Sequence, residues 1–343
     1  MAPGLLSGRV WRNFGPFRGG RLSAVTGAIG EPGVFYAGYP SAGVWKTVNA
    51  GTTWEPISDN AITASPSVGA VEVAPSDTNV IYVGMGDMIT GGAINEGDGV
   101  YKSTDAGHTW HHLGLDATTQ IPSILVDPKD PNLVMVAAQG NIHKRSDDRG
   151  AYRRTAGGKS WTKTRFVDDT TGIQKITWAF DQPNVMFATT VKHFVEPGPP
   201  PTGAPRAPRG PEAKDAPSTT RIFKSTDEGV TWQEIKGGGL PRLDGRTSMA
   251  VAMHTNAQRV FLVGNFGLWR SDDGGTTWRQ MDPDDKRVGN GQGGYNCGVY
   301  VSPSNPDVVY TINTSSYVSR DGGNTFTGFK GAPGGDDPQQ MWI

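Results

Sequence analysis

The octet Ser103-Thr-Asp-Ala-Gly-His-Thr-Trp110 constrains this fold more than any other feature, because it returns along the whole chain. Its form is Ser-x-Asp-x-Gly-x-Thr-Trp. Thr47 to Trp54 reads TVNAGTTW, Ser225 to Trp232 reads STDEGVTW, Ser271 to Trp278 reads SDDGGTTW and Ser319 to Phe326 reads SRDGGNTF. Arg154 to Trp161, RTAGGKSW, is a worn copy with Ala156 at the Asp position. Self-similarity on this scale is the signature of a repeat architecture.

A short apolar run precedes the copies (GVWKT, GVYKS, RIFKS, GLWRS, SYVS) and an alternating run follows (WEPIS, WHHLG, WTKTR, WQEIK, WRQMD, FTGFK). Alternation over about five residues is a strand signal. Asp and Gly between two strands mark a hairpin turn, the carboxylate accepting turn amides and Gly supplying positive φ. Asp105, Asp227, Asp273 and Asp321 are therefore read as structural staples, and the Trp as filling the seam between units. The closing aromatics Trp54, Trp110, Trp161, Trp232, Trp278 and Phe326 fall 46 to 71 residues apart, and four short strands plus turns need about 40–50 residues.

These units predict an all-β chain: a β-propeller of four-stranded blades, of seven-bladed type, with six complete blades and an incomplete seventh. Residues 1–343 are read as a single propeller domain. Val10 to Phe14 is read as a closing outer strand. The blades start near Leu22, Ser67, Gln120, Gln174, Arg246 and Tyr295. Residues 331–343, GAPGGDDPQQMWI, are read as a seventh innermost strand, so that the chain ends inside the last blade. A missing C-terminal segment, the favoured reading, or a partner chain then completes that blade; the alternative is that six blades close alone. The Pro-rich stretch 196–218 is a loop insertion.

The formal net charge of −1 gives no reason to expect nucleic acid as a partner. Cys297 is the only cysteine, so no intrachain disulfide forms. No apolar run approaches the ~18 residues of a membrane span. The opening MAPGLLSGRV lacks a signal peptide's charged start and long apolar core. His111-His112 is the only adjacent histidine pair, and its side chains alternate across a strand, so neither a metal site nor a cofactor is expected.

The recurrent octet is similar to the Asp box of sialidase-type propellers. Taken with WRNFGPFRGGR (11–21), GVWKTVNAGTTWEPISD (43–59), VGAVEVAPSDTNVIYVGMGD (68–87), GDGVYKSTDAGHTW (97–110) and QMWI (340–343), the chain resembles the large bacterial BNR-repeat "glycosyl hydrolases" with sortilin-like (Vps10-type) propellers. The resemblance implies a secreted or periplasmic protein and a glycan or peptide ligand at the propeller mouth. It does not confer chemistry by itself.

Propeller ligands meet the face where innermost strands begin. Strand starts nominate Arg18, Arg21, Gln120, Gln174, Lys175, Arg246, Tyr295, Asn296, Asp336, Asp337 and Gln340. Loops between second and third strands add Tyr39, Asp87, Glu96, Asp98, Asn141, His143, Lys192 and His193. Glycoside hydrolysis generally needs two carboxyl groups. Asp87, Glu96 or Asp98 can face Asp336 or Asp337, and of these Asp87, Asp98 and Asp337 are taken as the catalytic candidates. Arg18, Arg21, Gln120, Arg246, Tyr295 and Asn296 are the substrate-binding candidates, with the arginines suited to an acidic sugar. For Asp98 the competing reading is that it ties down its loop. A sialidase would use Arg21, Arg246 and Tyr295, but the Arg-Ile-Pro signature is missing. Xyloglucanases carry an Asp after the second strand of blade one, where this chain reads AGYPSAG (37–43). Two functions stay open: a carbohydrate-active propeller, or a non-catalytic sortilin-like binding platform or assembly scaffold.

Overall fold

The computed structural model describes residues 21–59, 61–62, 65–87, 95–155, 160–192, 218–289, 296–329 and 338–343. They form six four-stranded antiparallel sheets, each built from consecutive strands. The innermost strands are Ala24–Gly27, Val68–Val73, Ser123–Val126, Thr171–Ala179, Ser248–Val251 and Gly298–Val301. Each hairpins outward to a short fourth strand, such as Glu55–Pro56 in blade one and Thr327–Gly328 in blade six. The architecture is an all-β, six-bladed propeller.

The blade count corrects the seven-bladed expectation. Blade six supplies its own fourth strand, so it borrows none. Residues 338–343 adopt no strand and dock through two side chains and a backbone carbonyl instead. The Tyr300 hydroxyl donates to Gln340 Oε1 at 3.0 Å, and the Asn296 amide donates to the Pro338 carbonyl. Trp342 meets Phe35 edge-on at 5.7 Å, over Gly27, where an added Cβ would stand 2.7 Å from the indole. This segment thus bridges blade six to blade one. Val10 to Phe14, the 331–337 stretch and the Pro-rich insertion up to residue 217 lie outside the described residues.

Five apolar clusters join blade to blade. Tyr36 and Val44 of blade one pack with Val68, Ile81 and Met85 of blade two. The pattern continues through Tyr82 with Val134, Met135 with Phe223, Phe187 with Leu262, and Phe261 with Val299. Both faces of each middle strand are therefore buried, as in Ile81–Met85 and Val134–Ala138. That is why these strands read as near-continuous apolar runs.

The rim turns have one geometry. In blade two, Ser103 Oγ donates to Asp105 Oδ1 at 2.8 Å and Thr109 Oγ1 to Asp105 Oδ2 at 2.6 Å. The Thr109 amide donates to Oδ1 at 2.8 Å, and the Gly107 amide to Ser103 Oγ at 2.8 Å. Asp227, Asp273 and Asp321 repeat this set. Asn49 reproduces it in blade one through Thr47 and Thr53. Gly107 and its equivalents Gly229, Gly275 and Gly323 all have positive φ and lie against the preceding blade, where a Cβ would meet Ile57, Met135, Ile235 or Leu268. A side chain there would be strained twice over.

A second recurring contact links each rim turn backward. Lys46 Nζ donates to the Ala106 carbonyl (3.1 Å), Arg153 Nε to Glu228 (3.0 Å), Lys224 Nζ to Gly274 (2.7 Å) and Arg270 Nη1 to Gly322 (2.9 Å). Each cation sits on a third strand and reaches the turn of the next blade. In front of blade three, whose turn is the worn copy, Lys102 Nζ donates to Asn132 Oδ1 instead, at 2.8 Å.

Candidate functional site

The six innermost strands surround an axial channel of about 220 Å³. Its wall includes Glu72 from blade two, Lys175 from blade four, Arg246 from blade five, and Cys297 and Tyr300 from blade six, with Gln340 and Trp342 closing it. Strand alternation explains the set. Glu72 and Lys175 keep partial exposure on this wall, whereas their strand neighbours Val71 and Ile176, which also border it, are buried, as is Val73.

Of the expected site residues, Gln174, Lys175, Arg246, Asn296 and Gln340 gather on this channel. Gln174 Oε1 accepts the Thr247 amide across the blade four to five boundary at 3.4 Å. Arg21 and Asp87 come together as an ion pair at 3.8 Å, with Asp87 1 % exposed. The Asp87 amide donates to Ser67 Oγ (2.8 Å) and to the Asn95 carbonyl (3.1 Å), which fixes the loop base. Gln120 is fully buried and accepts Thr119 Oγ1 at 2.6 Å. Glu96 and Asn141 meet at 3.2 Å, linking the loops of blades two and three. Tyr39 packs edge-on against Trp45.

Asp98 takes a different direction. It accepts the Tyr101 hydroxyl at 2.6 Å, and its carbonyl lies 2.7 Å from His112 Nε2. Both partners belong to the outer half of blade two. Arg18, His193, Tyr295, Asp336 and Asp337 lie outside the described residues. Among the described residues, no three His, Cys, Asp or Glu side chains gather as metal ligands, and no helix is long and apolar enough to cross a membrane.

Electrostatics single out the channel wall. Burial pushes the Glu72 carboxyl up to about 8, so it is protonated at neutral pH. Burial lowers the Lys175 ammonium, with the Cys297 thiol nearby opposing that shift. Lys175 Nζ lies 5.1 Å from the Tyr300 ring centroid. Burial likewise raises Cys297 to about 11, against the pull of Arg246 and Lys175. The rim aspartates show the opposite behaviour. Threonine hydroxyl and amide donors hold Asp105, Asp227 and Asp273 at about 2. At Asp321 partial burial works against the same donors, which still bring it to about 2.

Glu72 was absent from the sequence-nominated set. Its signal is visible afterwards: one acidic residue in the otherwise apolar inner strand VGAVEV.

No family model matches the chain. In sequence it is 24 % identical, over 93 % of its length, to a Paenibacillus xyloglucanase, of which it spans 32 %. In structure it resembles the Niastella koreensis GH74 enzyme, with a TM-score of 0.53 at 15 % identity, covering 92 % of this chain and 52 % of that one. It equally resembles YCF48 bound to D1 peptide, with a TM-score of 0.54 at 14 % identity, covering 90 % of this chain and 80 % of that one. The chain thus spans about a third of the curated relative it matches and about half of the GH74 structure. These similarities establish a propeller fold shared with glycoside hydrolases; they do not single out BNR-repeat or sortilin-type proteins.

Proposed function

We propose that this chain is a carbohydrate-active propeller that binds a saccharide at the mouth of its axial channel. The observation that carries this reading is the polar convergence there: Gln174, Arg246, Asn296 and Gln340, with Tyr300 and Trp342 as aromatic surfaces, in a chain related in sequence to a xyloglucanase. Polar groups fix sugar hydroxyls, and aromatic faces take their C–H surfaces. Arg18, Arg21, Gln120 and Tyr295 complete the substrate-binding set that we assign to this reading. A polysaccharide ligand goes with a secreted or periplasmic location.

Hydrolysis requires a carboxyl pair, and Asp87 with Asp337 is the pair we assign to it. The Tyr101 hydrogen bond supports Asp98 as a loop anchor. The test is a panel of xyloglucan-derived and uronate-bearing oligosaccharides, read by calorimetry and by reducing-end release. Saccharide binding is expected, and Asp87→Asn or Asp337→Asn lowers turnover at least 100-fold, while Asp98→Asn leaves it within twofold. Unchanged turnover in both Asp87→Asn and Asp337→Asn removes the pair.

A second reading is a peptide-binding platform. It is favoured by the burial of Asp87 under Arg21, which withholds that carboxylate from solvent, and by the peptide-bound relative. A protein that captures peptides from an immobilised panel but no saccharide would overturn the carbohydrate reading.

A further inference from the structure

Glu72, Lys175 and Tyr300 reach the channel from alternate blades, two, four and six. Among the described residues, neither Glu72 nor Lys175 has a hydrogen-bonding or ion-pairing side chain as partner; Lys175 has only the Tyr300 ring beneath it. Both retain partial exposure, and that exposure is to the channel. An ammonium enclosed without a counter-anion costs stability that an apolar side chain of the same shape would not. Arg246 lines the same wall and has interactions of its own. The lining therefore carries positive charge facing a space of about 220 Å³, below the usual range for drug-sized ligands of about 300–1,000 Å³.

We propose that the axial channel binds a compact polyhydroxy carboxylate of the uronic-acid type, its carboxylate at Lys175 and its hydroxyls toward Glu72. This deepens the saccharide reading by naming the class of sugar, and it rests on that reading's placing of the ligand on the axis. A protonated Glu72 donates one hydrogen bond and accepts others, which suits a hydroxyl and spares the ligand a second negative charge. Lys175 supplies a charge-assisted hydrogen bond to the carboxylate. Tyr300 presents its face alongside. Neutral sugars leave Lys175 without its counter-charge.

The groups that set the pH response line the same wall: Glu72, Lys175, Cys297 and Tyr300, with Arg246 permanently charged. Affinity for the anion holds at pH 6–7. It falls as pH rises through about 8, because Glu72 becomes anionic and repels the ligand's carboxylate.

The experiment is calorimetric titration of the full chain at pH 6.5 with D-glucuronate, D-glucose and D-gluconate. Glucuronate binds at least tenfold more tightly than glucose, and Lys175→Met removes at least tenfold of that affinity. Thermal unfolding checks that variant's integrity: without ligand, its Tm equals or exceeds the parent's. Glu72→Gln keeps binding at pH 6.5 and flattens the fall above pH 8. Gluconate bound as tightly as glucuronate assigns the site to open-chain hydroxy acids; gluconate bound tenfold more weakly assigns it to ring sugars. Glucuronate no tighter than glucose, or equal affinity in Lys175→Met, overturns the proposal. If neutral oligosaccharides still bind in that case, the saccharide function survives without this site.

Discussion

A serine hydroxyl, a threonine hydroxyl and the threonine amide converge on each rim aspartate, and the four carboxylates are held near 2. An unfolded aspartate titrates near 3.9, so the folded value is depressed. The linked stability is fully present above about pH 4 and is lost as pH falls through about 2. Acid unfolding monitored by tryptophan fluorescence should therefore steepen between about pH 4 and pH 2. Blade one shows which substitution is tolerated, because Asn49 makes the same turn bonds. Asp227→Asn should leave urea stability at pH 7 nearly unchanged and lessen the acid loss. Asp227→Ala, which abolishes the bonds, should cost about 1 kcal/mol. Equal effects of Asn and Ala would show that the turn needs no acceptor there. At this scale much was legible: Ser, Asp, Gly and Thr at fixed offsets all take part in the turn's hydrogen bonds. Glu72 was not. Its role depends on which face of an inner strand meets the axis, and a lone acidic residue among valines does not announce that.

At the scale of the strand pair, the blades are stitched by the third-strand cation. Lys224 donates to the Gly274 carbonyl at 2.7 Å and lies 5.5 Å from the Phe187 ring centroid. Lys224→Met keeps the aliphatic stem over the ring but removes the donor. It should cost about 1–2 kcal/mol in urea unfolding at pH 7. Gly229→Ala should cost at least as much, because φ is +77° and the new Cβ stands 2.7 Å from Met135 Cε. A circular-dichroism melt of each variant checks both. The strand pattern was readable as alternation around the recurrent turn. The meaning of the Lys or Arg in GVWKT, GVYKS, RIFKS and GLWRS was not. The partner of Lys46, Lys224 and Arg270 is a rim-turn carbonyl 50 to 60 residues onward, and that of Lys102 is the Asn132 side chain 30 residues onward, each in the next blade; a local pattern encodes the cation without encoding its destination.

For the whole molecule, the propeller and its four-stranded units followed from the repeat, whereas the blade count did not. The last segment reads like the start of another inner strand, yet residues 338–343 work by Gln340 on Tyr300 and Trp342 on Gly27 and Phe35. Composition does not separate a strand from an extended segment that docks by its side chains. Trp342→Ala should lower stability by about 1–2 kcal/mol, since the indole is only partly buried. Gly27→Val, which pushes into the indole, should be strongly non-additive with it in a double-mutant cycle. Additive losses would mean that the two do not share one contact. The same segment lines the axial channel, so Trp342→Ala should also weaken whatever binds there. Among the described residues, the boundary between blade six and blade one is thus held by one indole and a few amides, whereas apolar clusters join the other five. Under tension applied through the carboxyl terminus, that clasp should slip before any hairpin unzips, giving a first rupture of low force that bares one wall of the axis while the six sheets remain folded.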